Sequence, residues 1–336
     1  MTGPASAPSE LPTVGVLGLG LIGGSLAKAC EVRGHAVAGW SRSEATRAAA
    51  AADGLSVVDT IAEVVAHADV IVLATPLSAL AATMDAVADA VGGRAELPTI
   101  TDVGSVKASI VEHARRVLPD STMFVPGHPM AGTEHTGWAH ADPSLFEGAA
   151  WALVVDEPVD LARWVAVARL VLGLGARVVP VAAADHDAAV ALVSHLPYVV
   201  AGGLTDLLAA EDTGLASALA AGSFRSATRV TAGDGRALGA ELVRANATAV
   251  LRRIDQLQQW LSAFAADVEA DDVAGIGAAF GVGSVPPPLW ASTVTGSIDR
   301  AALLAAGADG LAVTEVSIEG DQFTAAGHRP VNGGSA

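Results

Sequence analysis

The chain is poor in cysteine, in lysine and in positive charge. Its one cysteine, Cys30, excludes a disulfide framework and a thiolate metal cluster. Beside Leu26 and Ala29 in a helical stretch, it reads as a buried core thiol. No lysine follows Lys107. Charged residues make up 16% of the chain, and the net charge is −17. So acidic a surface repels nucleic acid and anionic membranes, so neither is expected as a partner. An anionic substrate would need individual arginines to hold it. The first residues, 1–11, are small and rich in Pro and Ser, without the basic start and apolar run of a signal peptide, and are expected to be disordered. The Ala-rich runs are broken by Asp, Arg, Gly or His, so no membrane span is expected, and the cytoplasm is the expected location. There is no internal repeat.

What is present is a large apolar fraction, 51% of 336 residues. That is enough for about two domains with sizeable cores. Up to Val181, short apolar runs alternate with helical patterns. Thr13–Leu17, Ala36–Trp40, Asp69–Ala74, Thr99–Val103, Met123–Pro126, Trp151–Val155 and Arg177–Val181 read as strands. Leu21–Arg33, Ala45–Ala52, Leu77–Val91, Val106–Leu118 and Leu161–Leu172 read as helices. Such alternation predicts an α/β fold with a doubly wound parallel sheet over residues 12–181. Beyond it the pattern turns helical, and 182–306 reads as an all-helical substrate and dimerisation domain. In its long helix Leu242, Ala245, Ala249, Leu251, Ile254, Leu257, Leu261 and Phe264 recur at helical spacing, a face suited to a partner subunit in a homodimer. Residues 307–336 are expected to be a partly disordered tail, although Val313–Ile318 looks strand-like.

Gly18-Leu19-Gly20-Leu21-Ile22-Gly23 follows the first strand and opens the first helix. In that context a G-x-G-x-x-G run reads as a Rossmann-type dinucleotide cradle: tight turn, close backbone approach to a pyrophosphate, close helix–strand packing. At the end of the second strand an NAD enzyme usually carries an acid for the ribose 2′-hydroxyl. Here Ser41 and Arg42 stand there, and an Arg can pair with a 2′-phosphate. The expected cofactor is NAD(P), leaning to NADP. Thr75, Pro76 and Leu77, at the end of a central strand, are expected to line the nicotinamide ribose, with Asp102 also on the cofactor side.

His128 lies just after an apolar strand, between Gly127 and Pro129, at the ligand edge of such a sheet. Its ordinary pKa suits removal of a hydroxyl proton near neutral pH. Ser105 is placed to hydrogen-bond that histidine or the nicotinamide ring, or to cap the helix that follows. In the second domain, His195 precedes Pro197, which should bend its helix toward a cleft. Phe224–Arg229 supplies two cations suited to a carboxylate clamp. The spacings of His128, His135 and His140 fit no metal set, and no metal is expected.

Taken in order, Gly18–Leu26, Asp102–Lys107, His128–Gly132, His195–Pro197 and Thr228-Arg229 resemble the prephenate/arogenate dehydrogenases of tyrosine biosynthesis, over roughly residues 12–265. The resemblance implies a reaction: a base takes the ring hydroxyl proton, hydride leaves C4 for the nicotinamide, and CO2 departs as the ring aromatises. It implies His128 as the base, with Ser105 orienting it and touching the cofactor. Arg229 would bind the ring carboxylate, His195 would help hold substrate, and Gly132-Thr133-Glu134 would form a loop over the pocket. Two positions depart from the family pattern. Tyr198 stands where a second His is common, and Ser226 where some members carry an acid; both bear on prephenate against arogenate. Two rival readings remain. A β-hydroxyacid or imine dehydrogenase would need a lysine in the second domain, where there is none. A non-catalytic nicotinamide-binding redox sensor would need only the cofactor cradle.

Overall fold

A computed structural model of the protein describes residues 11–133, 135–211, 214–233, 235–281, 292–317 and 321–327. The expectations of disorder at residues 1–10 and 328–336, and the site reading of Glu134, lie outside these. The chain forms two compact units: one of residues 1–183 and 293–336, the other of residues 184–292.

In the first unit, β1 (Val14–Leu17), α1 (Leu21–Val32), β2 (Val37–Trp40), α2 (Glu44–Ala52), α3 (Ile61–His67), β3 (Val70–Leu73), α4 (Leu77–Val91), β4 (Thr99–Asp102), α5 (Ala108–Val117) and β5 (Phe124–Val125) follow in sequence. The five strands are parallel in the order β2-β1-β3-β4-β5, and Val57 adds an isolated parallel bridge outside β2 at Gly39. Consecutive residues point to opposite faces. Val14, Val16, Val70 and Val72 enter one core, while Leu17, Ile71, Leu73 and Ile100 enter the other. That two-sided burial is why these strands are apolar throughout. Chain order reverses beside β1, so the carboxyl ends of β1 and β3 form the switch point where ligands bind in such sheets. Cys30 is fully buried, and burial pushes its thiol up to about 12, an inert core residue as expected.

A second, mixed sheet departs from the single sheet expected. The sequence pattern treats 123–126 as one strand. The chain instead leaves the first sheet at Pro126, and β6 (Gly127–Pro129) pairs antiparallel with β7 (Ala150–Val154). After α6 (Leu161–Gly173), β8 (Arg177–Val181) lies parallel to β7. The expected tail, and the end of the expected helical domain, also return here. β9 (Ser292–Ser297), α14 (Arg300–Ala308), β10 (Ala312–Val316) and β11 (Gln322–Gly327) complete the order β6-β7-β8-β10-β11-β9. The reason is burial: Leu303, Val313 and Phe323 share a core with Leu153 and Val178. Asp299 caps α14, accepting from the Ala302 amide at 2.8 Å, and Arg300 donates to the carbonyls of Val155 and Val159.

The second unit is helical: α7 (Ala183–Val190), a π turn (Ala191–His195), α8 (Leu196–Ala210), α9 (Leu215–Leu219), α10 (Gly222–Thr228), a 3₁₀ turn (Arg229–Thr231), α11 (Gly235–Ala245), α12 (Ala247–Glu269) and α13 (Val273–Gly281). Pro197 produces a π turn rather than a break. It has no N–H for the carbonyl four residues back, and the chain widens by one residue just before it. The 183–210 stretch is, by length and composition alone, apolar enough to cross a bilayer. Many apolar side chains of this unit are uncovered, among them Leu207, Leu251, Trp260, Leu261, Val273 and Phe280.

Candidate active site

The three motif glycines each have a distinct reason. Gly18 has φ of +112°, and a Cβ there would lie 2.5 Å from the Ala74 carbonyl oxygen and 2.7 Å from the Thr75 amide. A Cβ on Gly23 would overlap the Gly18 carbonyl. These two let the turn close against the end of β3. Gly20 faces open space, with nothing within 4 Å of a Cβ built there. The N-terminus of α1 has no side-chain cap and no acidic residue in its first turn. Its free N–H groups and positive dipole end therefore fit a dinucleotide pyrophosphate. Leu19 is a correction in part: its side chain is buried in the core beside Gly39, which leaves only its backbone for a cofactor. Leu21 and Ile22 are half-buried at the start of α1. Thr75 sits against Gly18 and shares a hydrogen bond with Thr83 at 3.1 Å; Pro76 precedes Leu77, the first residue of α4.

After β2, the Ser41 hydroxyl accepts from the Ser43 amide at 3.3 Å. Arg47, which the sequence reading passed over, braces this loop by donating to the carbonyls of Ser41 at 2.7 Å and Arg42 at 3.4 Å. Arg42 is exposed and has no ion-pair partner among the described residues.

Asp102 requires the larger correction. Its carboxylate is wholly buried, so it is not available to a cofactor. One oxygen accepts from the Gly127 amide at 3.0 Å; the other accepts from the Gly104 amide at 2.9 Å and pairs with Lys107. Lys107 is equally buried and donates to the Gly127 carbonyl at 2.7 Å. Both backbone groups of Gly127 are thus gripped by one buried ion pair, and the next residue is His128. Desolvated charges of this kind are stable only when paired and hydrogen-bonded, as these are. His128 is half-buried, opposite Ala152 on β7. It lies just beyond the carboxyl end of β5, in the short antiparallel strand rather than at the end of a parallel one. Ser105 does not cap α5, whose N-cap is Lys107, and its hydroxyl has no partner among the described residues. Gly132 and Thr133 are exposed, the Thr133 hydroxyl accepting from the His135 amide at 3.1 Å. Farther along, the Trp138 indole donates to Asp53 at 2.8 Å beneath the Lys28 ammonium, which pins this loop to α1.

In the second unit, His195 ends the π turn and is fully buried. Burial holds its pKa below the usual histidine range, Asp187 opposing and His186 reinforcing the effect. Its Nδ1 lies 3.2 Å from the Asn246 amide nitrogen, another residue the sequence reading did not single out. Its Nε2 has no partner among the described residues. Arg229 opens the 3₁₀ turn after α10, exposed, with no ion pair among the described residues; Arg225 is exposed on α10. No cluster of metal-ligating side chains occurs among the described residues.

Residues 24–180 match the family model described as prephenate dehydrogenase, nucleotide-binding domain, and residues 182–280 the one described as prephenate dehydrogenase, dimerization domain. The prephenate dehydrogenase of Bacillus subtilis is 33% identical over 268 residues, 77% of this chain and 71% of that protein. The cyclohexadienyl dehydrogenase of Zymomonas mobilis is 33% identical over 249 residues, 72% of this chain and 83% of that protein. Among solved structures, the Synechocystis arogenate dehydrogenase is 31% identical with a TM-score of 0.70, covering 79% of this chain and 95% of that one. The prephenate dehydrogenase of Aquifex aeolicus in complex with hydroxyphenyl propionate and NAD+ is 26% identical with a TM-score of 0.74, covering 83% and 97%.

Proposed function

The chain belongs to the prephenate dehydrogenase family, and from that premise we propose that it catalyses the NAD(P)-dependent oxidative decarboxylation of prephenate to 4-hydroxyphenylpyruvate in tyrosine biosynthesis. The bound nicotinamide supplies a hydride acceptor. His128 takes the ring hydroxyl proton as hydride leaves C4. Loss of the ring carboxylate as CO2 returns its electron pair to the ring, which becomes aromatic. Ser105, its hydroxyl without a partner among the described residues, orients His128 and touches the cofactor. Arg229 pairs with the ring carboxylate, His195 helps hold substrate, and Gly132 and Thr133 belong to the loop over the pocket, together with Glu134. The Gly18–Gly23 backbone, Ser41, Arg42 and Thr75–Leu77 hold the dinucleotide. The observation that carries this reading is the grip on Gly127. A buried ion pair spent on fixing the backbone beside one histidine suits a base that must meet its proton in a set geometry.

Arogenate, giving tyrosine directly, is the alternative substrate, and Tyr198 and Ser226 bear on that choice. The exposed guanidinium of Arg42, without an ion-pair partner among the described residues, favours NADP over NAD. The uncovered apolar helices of the second unit favour a homodimer and a subunit contact rather than a lipid one. We place the enzyme in the cytoplasm, where the nicotinamide pool is.

The test is to mix purified protein with prephenate or arogenate and NAD or NADP, and follow nicotinamide absorbance. Reduction with prephenate supports the reading, and reduction with arogenate alone moves the substrate. Silence throughout with cofactor still bound overturns it in favour of the redox sensor or of another hydroxyacid substrate. His128→Asn should lower turnover by about 10²–10⁴-fold with cofactor binding intact, the range for loss of a general base. Arg42→Ala should raise the KM for NADP far more than that for NAD. An equal rise would refute the 2′-phosphate contact.

A further inference from the structure

The environment of His195 fixes which of its ring nitrogens carries the proton. The Asn246 side chain places one atom 2.7 Å from the Asp187 carbonyl and 3.2 Å from His195 Nδ1. A carbonyl only accepts, so that atom is the amide nitrogen, and it donates to both. Nδ1 therefore accepts, and a neutral ring must carry its proton on Nε2. Burial keeps the ring neutral, and the charged or titratable groups acting on it are Asp187 and His186, joined to each other at 2.8 Å. The Nε2–H is then a buried donor with no acceptor among the described residues. Buried polar groups are rarely left unspent, and those that are need an explanation. The two elements that create this arrangement are the π turn forced by Pro197, which carries His195, and the Asn246 junction between α11 and α12.

We propose that Asn246 is a positioning residue that sets His195 as a neutral Nε2–H donor, reserved for an acceptor oxygen of the bound substrate, a carboxylate or ketone oxygen. This rests on the reading above in which His195 touches substrate. The Asp187 carbonyl is the anchor: it orients the Asn246 amide, and the amide in turn selects the tautomer.

Two measurements test it. The first is long-range proton–nitrogen NMR on protein labelled with ¹⁵N-histidine, with His195→Gln to assign the signal. The expected spectrum at pH 7.5 has Nε2 protonated and Nδ1 bare. Asn246→Asp, whose carboxylate can only accept, should move the proton to Nδ1. A bare Nε2 in the unaltered protein overturns the proposal. Where Asn246→Asp does not fold, the spectrum of the unaltered protein decides alone. The second is a comparison of His195→Gln, which can still present an N–H donor, with His195→Leu, which cannot. The leucine variant should raise the KM for substrate by about tenfold or more, the order of one lost hydrogen bond to a charged group, with the KM for the nicotinamide unchanged. The glutamine variant should recover most of that loss. Equal damage in both variants overturns the donor role while leaving the contact itself in place. No change in the leucine variant overturns the contact, and the proposal with it.

Discussion

Asp102 and Lys107 are each buried charges, compensated by the other and by the backbone of Gly104 and Gly127. Lys107→Met should leave the carboxylate unpaired and cost about 3–5 kcal/mol, read as a fall in the urea midpoint with an unchanged slope. A loss below about 1 kcal/mol, the scale of an exposed pair, would contradict the burial. The motif was legible in the sequence, but its division of labour was not. Spacing places Asp102 at a strand end where ligands bind, yet says nothing about which way the carboxylate turns. The same limit applies to Leu19, which a motif counts as a cofactor residue and packing claims for the core. His195 gives a second test at this scale. Its folded pKa is depressed, so below its ordinary value of 6.5 the unfolded chain takes up a proton that the folded one refuses. Stability should therefore fall as the pH drops through 6.5 toward the lower folded value, and His195→Gln should remove that part of the loss. Urea titrations of both proteins at pH 7.5 and 5.5 measure the difference.

Among the elements, those built from local signals were the most legible. The glycine turn into α1 and the apolar runs of β1 and β3 announce themselves within a few residues. β6 did not, because three residues containing a proline carry no periodicity, and only pairing with β7 makes them a strand. The π turn was foreseeable as a disturbance at Pro197, but not in kind. The apolar pattern from Leu242 to Phe264 was legible as helical but as one helix, whereas the structure divides it at Asn246 into α11 and α12; the face of α12 is largely uncovered within one chain, and of its residues only Val250 is buried. Trp260 stacks on Phe264 at 5.3 Å, and Phe264 meets Phe280 edge-on at 5.6 Å. If a second copy covers this cluster, Trp260→Glu should turn a dimer into a monomer in light scattering behind size exclusion, with helix content in circular dichroism retained.

For the whole molecule, division into an α/β part and a helical part could be read from the change in pattern near Val181. The return of the chain could not, because β10 pairs not only with its neighbour β11 but also with β8, which precedes the entire helical unit in sequence. The strand character of Val313–Val316 was visible, but nothing in the sequence pointed to β8 as one of its two partners. A chain ending at residue 291 should keep the glycine turn and lose Leu303, Val313 and Phe323 from the first unit's core, each worth about 1.5–3 kcal/mol. A lower melting temperature and aggregation on heating are expected, and an unchanged melting temperature would show the segment to be dispensable.

That same return governs the order in which the protein can be completed on the ribosome. β8 emerges with one edge bare, and Val178 must wait for Val313 until every helix of the second unit has been made. At about 5–20 residues per second, the delay is on the order of ten seconds. During that interval an unpaired strand is open to the wrong neighbour. The unit that carries the glycine turn is therefore finished among the last, and a ribosome that stalls within the helices leaves its second sheet without β9, β10 and β11.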